Sequence, residues 1–349
     1  MNNLANSYIQ KMKAYCPPLD NRSTFPGLRL DFNERTISPP PKVLNALKAF
    51  HLELYPEYEN LNEQIANYAS VAPEQIIITN GSDQGMDLIF RTFTQKGDNV
   101  IIPTPSFAMY EQCAALRENK ILRPFYSETL TFPFEEIQSL LSTGNIKLLV
   151  LCNPNNPTGT PIALEQIEII LKQAPSTVVY VDEAYFEFSK TTAIPLLKDY
   201  PNLMITRTFS KAFGIPSLRI GYVVATASNI EEMLKVRGPY DVNKAGACGA
   251  QAALEEIDEI NRYADEVMNE AKPMVEQFFS KNKINFFPSQ GNFILFRPND
   301  VNKTYEQLYS NGILTRPRSG HNIEGTIRFS IGTVSQMEQF IKTYQQLFL

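Results

Sequence analysis

Five short apolar runs, residues 75–79 (QIIIT), 99–104 (NVIIPT), 147–152 (KLLVLC), 177–182 (TVVYVD) and 203–208 (LMITRT), are hydrophobic on both faces of an extended chain. Such strands belong inside a mainly parallel sheet covered by helices. Between them, residues 83–93 and 164–172 carry apolar positions at helical spacing. This alternation predicts a three-layer α/β large domain with a mostly parallel sheet. After Ala250 the texture changes. One long polar helix is expected over about residues 251–281, followed by the strand patterns "NFFPSQGNFILFRP" and "TIRFSIGT" of a smaller α+β C-terminal domain. The proline-rich "TISPPPKV" reads as the connection out of an N-terminal arm. The expected divisions are 1–35 (arm and part of the small domain), 36–250 (large domain) and 251–349 (small domain).

Composition narrows the classes. The chain has 349 residues, ample for two cores, and its net charge of −5 supplies no basic field for nucleic acid. No apolar run reaches the roughly 18 residues of a membrane span, and the first residues lack the apolar core of a secretory signal. A cytoplasmic protein is expected. Cys16, Cys113, Cys152 and Cys248 are far apart and mostly in apolar surroundings, which suits reduced, buried thiols. His51 and His321 are too few for a histidine triad or a metal cage, so no metal is expected and proton transfer falls to another residue type.

In an open α/β sheet, ligands bind at the carboxyl ends of the strands, and the polar residues collect there. After QIIIT comes Asn80-Gly81-Ser82-Asp83, a glycine before a helix start, where free backbone N–H groups suit a phosphate. After KLLVLC comes "NPNNPTG", with two Asn-Pro steps. The next strand ends in Asp182, followed by Glu183, Ala184 and Tyr185; a carboxylate so placed requires a cationic partner. The last strand leads into Thr208, Ser210, Lys211 and Arg219. A phosphate cradle, an amide, a carboxylate with a phenol, and an amine with an arginine together match the needs of pyridoxal 5'-phosphate. Lys211 would take its aldehyde, and Asp182 its ring nitrogen.

"NPNNPTG", "VDEAYFEF" and "TFSKAFGIPSLRIGY" together resemble the fold-type I pyridoxal-phosphate aminotransferases, and among these most closely the histidinol-phosphate aminotransferase group. The likeness runs from "LDFNE" to "IRFSIGT". It implies that Lys211 links to the cofactor and later carries the proton, while Asp182 pairs with the ring nitrogen. Asn156 and Tyr185 would bond the ring oxygen, and Phe107 would stack on the ring. The backbone of Ser82 and Asp83, with Thr208, Ser210 and Arg219, would hold the phosphate. Tyr55, in "LYPEY", would reach the phosphate of a partner subunit's cofactor, which implies a homodimer. Arg328 would grip the substrate carboxylate, and Asn33 would line the substrate side.

The same resemblance implies transfer of an amino group from histidinol phosphate to 2-oxoglutarate, as in histidine biosynthesis. Tyr15, Arg316 and Arg318 near the mouth, with Arg328, would jointly receive a phosphate. "PYDVN" fits this group better than the threonine-phosphate decarboxylases, which tend to carry tryptophan in place of Tyr240. "NERTIS" departs from the family's usual Asn-Glu-Asn-Pro, and the segment between Arg316 and Arg328 is about one residue short. Aromatic amino-acid transamination and threonine-phosphate decarboxylation remain the alternatives. A nicotinamide-dependent dehydrogenase would need a glycine-rich fingerprint that is missing here, and a fused DNA-binding module has no room before Asn33.

Overall fold

The computed structural model describes residues 4–17 and 22–349; of the arm expected over 1–35, residues 1–3 and 18–21 lie outside it. The first strand, β1 (Leu28–Arg29), is two residues long and follows a short helix, Ser7–Lys11. The large sheet uses β2 (Ile76–Thr79), β3 (Asn99–Ile101), β4 (Lys120–Leu122), β5 (Leu148–Cys152), β6 (Val178–Asp182), β7 (Leu203–Thr208) and β8 (Gly221–Val224). Its spatial order is β2-β8-β7-β6-β5-β3-β4, and β8 alone runs against the rest. Alternate residues of β5 show why a parallel strand is apolar throughout. Leu148 and Val150 enter one core while Leu149 and Leu151 enter the other, so both faces are buried under helices.

The small domain is built on β9 (Asn285–Phe287), β10 (Phe293–Arg297), β11 (Ile313–Leu314), β12 (Arg316–Arg318) and β13 (Thr326–Ser330). Four of these form an antiparallel sheet in the order β12-β13-β10-β9. The fifth, β11, pairs in parallel with β1. The N-terminal segment is thereby stitched into the C-terminal sheet: Leu30 N donates to Leu314 O at 2.8 Å, and Ser330 N donates to Leu30 O at 2.7 Å.

Two readings need correction. The long helix expected over about 251–281 is three helical segments. The helix Lys244–Leu254 ends at Glu255–Glu256, Ile257–Glu266 follows, and a π-helical turn Val267–Ala271 leads into Lys272–Lys281. Pro273 has no N–H to give the carbonyl four residues back, and the wider turn lies directly before it. The thiols are not uniformly buried either: Cys113 and Cys152 are, whereas Cys16 is exposed and Cys248 half-buried. Among the described residues no helix is long and apolar enough to cross a membrane.

Candidate active site

The register of the large sheet sets polar side chains side by side at one edge. Cys152 pairs with Asp182 and Asp182 with Thr206, while Gly221 pairs with both Thr79 and Thr208. The helix Gly81–Phe93 therefore starts beside the end of β7. Gly81 has φ of +75°, and a Cβ there would meet Arg219 Nη2 at 2.5 Å, so the backbone turn and the close approach both require glycine. Arg219 Nη2 pairs with Asp83 Oδ2 at 3.0 Å, and Thr208 Oγ1 donates to Ser210 Oγ at 3.0 Å. A helix N-terminus, two hydroxyls and a guanidinium thus lie at the same edge of the sheet, an arrangement that favours an anion.

Asp182 is 4% exposed and has no lysine, arginine or histidine partner among the described residues. Its Oδ2 accepts from Tyr110 Oη at 2.7 Å and its Oδ1 from Ala184 N at 3.0 Å. Burial pushes this carboxyl up to about 6 against the pull of those donors. The cationic partner expected from the sequence is not supplied by the protein.

The neighbouring strand ends bring the amine. Lys211 Nζ donates to the carbonyl of Phe32 at 2.8 Å and lies 5.9 Å from the centre of the Tyr185 ring. Burial first, and the charge of Arg328 second, lower the amine to about 8. A buried amine lowered toward neutrality and a buried carboxylate with no cationic partner among the described residues, beside an anion cradle, form the donor set that pyridoxal phosphate fits.

Tyr185 is buried, its Oη accepts from Asn33 Nδ2 at 2.9 Å, and its ring lies 5.1 Å from that of Phe293. Burial raises its phenol. Asn33 sits in the left-handed region with φ of +54°, held by Ser330 Oγ, which accepts from Asn33 N at 2.9 Å. Arg328 reaches the same place from β13, with Nη1 on Asn156 Oδ1 and Nη2 on the carbonyl of Asp31 at 2.6 Å. Burial lowers its guanidinium to about 10. Arg316 faces Arg328 directly across the β12–β13 pair. Phe107 is half-buried, edge-on to Tyr110 at 5.8 Å.

The structure thus gathers Lys211, Asp182, Tyr185, Asn156, Asn33 and Arg328, with Ser82, Asp83, Thr208, Ser210 and Arg219 alongside. It does not bring Tyr55 to them. That ring is 74% exposed, stacks on Tyr240 at 4.5 Å, and bonds to no site residue. Tyr15 is 44% exposed and reaches the group only through its electrostatic influence on Arg318.

Sequence reasoning missed Tyr110, the hydroxyl on Asp182, and the Asn155–Ser106 pair. Asn155 Oδ1 accepts from Ser106 Oγ at 2.7 Å and its Nδ2 donates to Pro105 O at 2.9 Å, pinning the loop that carries Phe107. The doubled asparagine in "NPNNPTG" was a signal for the second; Tyr110 in "SFAMY" looks like any core aromatic.

The fold and the site define a fold-type I pyridoxal-phosphate enzyme. Residues 26–343 match the family model of class I and II aminotransferases. A histidinol-phosphate aminotransferase of Caldanaerobacter subterraneus subsp. tengcongensis is 33% identical over 328 residues, covering 91% of this chain and 92% of the relative. The dihydroxyacetone phosphate transaminase Cj1437c of Campylobacter jejuni is 32% identical, covering 98% and 96%. The crystal structure of histidinol-phosphate aminotransferase from Sinorhizobium meliloti in complex with pyridoxal-5'-phosphate superposes with a TM-score of 0.89 at 23% identity, covering 99% and 98%. The chain belongs to the class I and II aminotransferase family, and it is a pyridoxal-phosphate-dependent transaminase.

Proposed function

We propose that the chain transfers the amino group of histidinol phosphate to 2-oxoglutarate. The supporting observation is the pair Arg316 and Arg328, which face each other across two strands beside the site, neither with a carboxylate partner among the described residues. Like charges directly opposed on a sheet destabilise it, so an anionic ligand offsets the arrangement. A guanidinium fork fits a phosphate or a carboxylate bidentately, which lets one site serve both half-reactions.

In this reading Ser82, Asp83, Thr208, Ser210 and Arg219 would hold the cofactor phosphate, Asn156 and Tyr185 its ring oxygen, and Phe107 its ring face. Bound there, the cofactor supplies an aldehyde that condenses with amines and a ring that accepts the electron pair left when the α-proton departs. Asp182, buried without a cationic partner among the described residues, would pair with the cofactor's ring nitrogen and favour its protonated form. Tyr110 fixes the Asp182 carboxylate through its hydroxyl. Lys211 Nζ, which its burial lowers to about 8 and so makes easier to deprotonate, takes the proton from the substrate α-carbon and returns it on the other side of the reaction. Arg328 orients the substrate by its anionic end, and Asn33 keeps the Tyr185 phenol in place.

Tyr55 and a homodimer belong to the same reading. Leu52, Leu54, Tyr55 and Tyr240 leave apolar surface exposed around Tyr55, and a second copy of the chain would cover it. The proposed divisions near residues 36 and 250 are supported by the "SPPPKV" connection and the start of the small domain. The helix Lys244–Leu254 packs on Pro41–Ala46, which in this reading keeps most of it with the large domain.

A second reading keeps the phosphate and replaces the imidazole, with dihydroxyacetone phosphate as the carbonyl substrate; the similar Campylobacter jejuni protein bears that activity in its name. Single-turnover spectra of the loaded enzyme with histidinol phosphate, histidinol, phenylalanine, threonine phosphate and the amine of dihydroxyacetone phosphate separate the readings. Histidinol phosphate should react fastest and outpace histidinol by roughly ten- to a hundredfold, the worth of a charge-assisted contact. Faster reaction of phenylalanine, or decarboxylation of threonine phosphate, would reject the proposal.

A further inference from the structure

Arg35 and Thr36 are the two positions where "NERTIS" departs from Asn-Glu-Asn-Pro, and the site described above uses neither. The Arg35 side chain is nonetheless fully buried. A buried guanidinium is costly unless it is paired and hydrogen-bonded. Its Nη2 pairs with Glu259 Oε1 at 2.6 Å, and its Nη1 donates to the carbonyl of Ala212 at 3.1 Å. The guanidinium also lies 4.2 Å from the centre of the Tyr263 ring. Glu259 and Tyr263 are one turn apart on the helix Ile257–Glu266, so they share a face.

Ala212 directly follows Lys211, and its turn is closed by Gly214 N donating to Lys211 O at 3.1 Å. Gly214 has φ of +72°, and a Cβ there would meet Arg35 Cδ at 2.5 Å. Glycine thus lets the stem of Arg35 lie against the turn while its head reaches the Ala212 carbonyl. Phe32, three residues before Arg35, accepts from Lys211 Nζ. One short segment therefore holds the lysine twice, its amine through Phe32 and its backbone turn through Arg35. Thr36 N donates to Tyr263 Oη at 3.1 Å, a bond that proline could not make. Both departures dock the segment on the same helix.

We propose that Arg35 is a positioning residue for the transamination, fixing the Lys211 turn relative to the helix Ile257–Glu266. The assignment rests on Lys211 as the lysine that links to the cofactor and carries the proton, and it holds whichever amine is the substrate. Among the described residues Arg35 bonds neither Arg328 nor the anion cradle. A reacting group misplaced by about 1 Å costs roughly a hundredfold in rate, so the loss falls on the chemical step rather than on amine binding. The planar fork makes the Glu259 and Ala212 bonds at once, which a lysine ammonium does not reproduce.

The test compares the loaded wild type with Arg35→Met, and with Arg35→Met combined with Glu259→Gln. Single-turnover half-reactions are followed with histidinol phosphate and with glutamate. Arg35→Met should lower the limiting rate roughly ten- to a hundredfold for both amines, and keep the half-saturating concentrations within about threefold. It should also melt below wild type, because Glu259 loses its partner; the double variant should regain most of that stability and none of the rate. A second readout uses the cofactor-free chain: competitive acetylation across pH, read at Lys211 by mass spectrometry. Burial lowers this amine, so a released turn should move its titration upward; Arg328, Arg219, Glu34 and Asp83, the charges acting on it, are unchanged. If Arg35→Met does not fold, Arg35→Lys is measured identically. A limiting rate within about threefold of wild type, or a Lys211 that titrates as before, overturns the Arg35 assignment. So does a double variant that recovers rate together with stability, since Arg35 would then only balance Glu259. A loss confined to one amine overturns it too. Borohydride that fixes the wild-type cofactor on a residue other than Lys211 removes the reading of Lys211 itself, and this inference with it.

Discussion

Asp182 ought to destabilise the cofactor-free protein and stabilise the loaded one, and Asp182→Asn exposes both signs. The carboxyl is pushed from an ordinary 3.8 to about 6 because burial outweighs the hydrogen bonds from Tyr110 and Ala184. Between those values the folded chain keeps a proton that the unfolded chain releases, so stability falls as pH rises through this window. Above about pH 6 the whole penalty is present, about 3 kcal/mol for a difference of roughly two in pKa. Asparagine stays neutral, accepts from Tyr110 as before, and removes the penalty. Unfolding entropy of about 2.1 cal/mol/K per residue gives about 0.7 kcal/mol/K for the whole chain, so the difference amounts to roughly 4 °C in melting temperature. Cofactor-free Asp182→Asn should therefore melt about 4 °C above wild type at pH 7.5 and level with it near pH 4. Glu187, buried and raised to about 7, titrates in the same range in both proteins and cancels in the comparison. With cofactor bound the order should reverse, since a buried charge pair that loses one member costs about 3–5 kcal/mol, and turnover should fall by several orders of magnitude. Parallel pH curves for the two cofactor-free proteins, or a less stable variant at pH 7.5, would refute this account of Asp182.

Tyr110→Phe should leave the fold intact, lower cofactor affinity, and shift the pH dependence of the cofactor absorbance, with Arg219→Ala weakening cofactor retention roughly ten- to a hundredfold without that spectral shift; dialysis followed by absorbance titration separates the two. The homodimer is checked by mixing inactive Lys211→Ala with a Tyr55→Ala variant: shared sites restore part of the activity in verified heterodimers, and a fully active monomer in sedimentation would exclude a shared site.

Much of the large domain was legible because its chemistry sits where periodicity stops. Asp182 closes an apolar strand and Lys211 comes three residues after the end of another buried one, and a charged group in either position needs a reason. Glycines 81 and 221 were readable only in part: the turn at Gly81 was marked, whereas the crowding of Gly221 against Ser82 N arises from pairing β8 between β2 and β7. Partner choice was illegible. Nothing in the order of residues tells that Arg22, rather than Arg316, takes Asp31 and Glu34, because that depends on how a loop folds over Phe32. The break at Glu255–Glu256 was hidden for a similar reason. Helical spacing continues through it, and packing of Lys244–Leu254 on the large domain decides where one helix stops.

The stitching of the N-terminal segment into the last strands sets a schedule for making this protein. Phe32 offers its carbonyl to Lys211, and Leu30 and Asn33 are tied to Ser330, almost the full chain away. Arg328 follows Lys211 by 117 residues. At about 5–20 residues per second, a ribosome adds that stretch in roughly 6 to 23 seconds. For most of that interval, once Arg219 and β8 have been added, the nascent chain has its lysine and anion cradle but not yet the substrate grip. A chaperone that shields the N-terminal segment during this window would protect the one piece that cannot find its place until synthesis is nearly over.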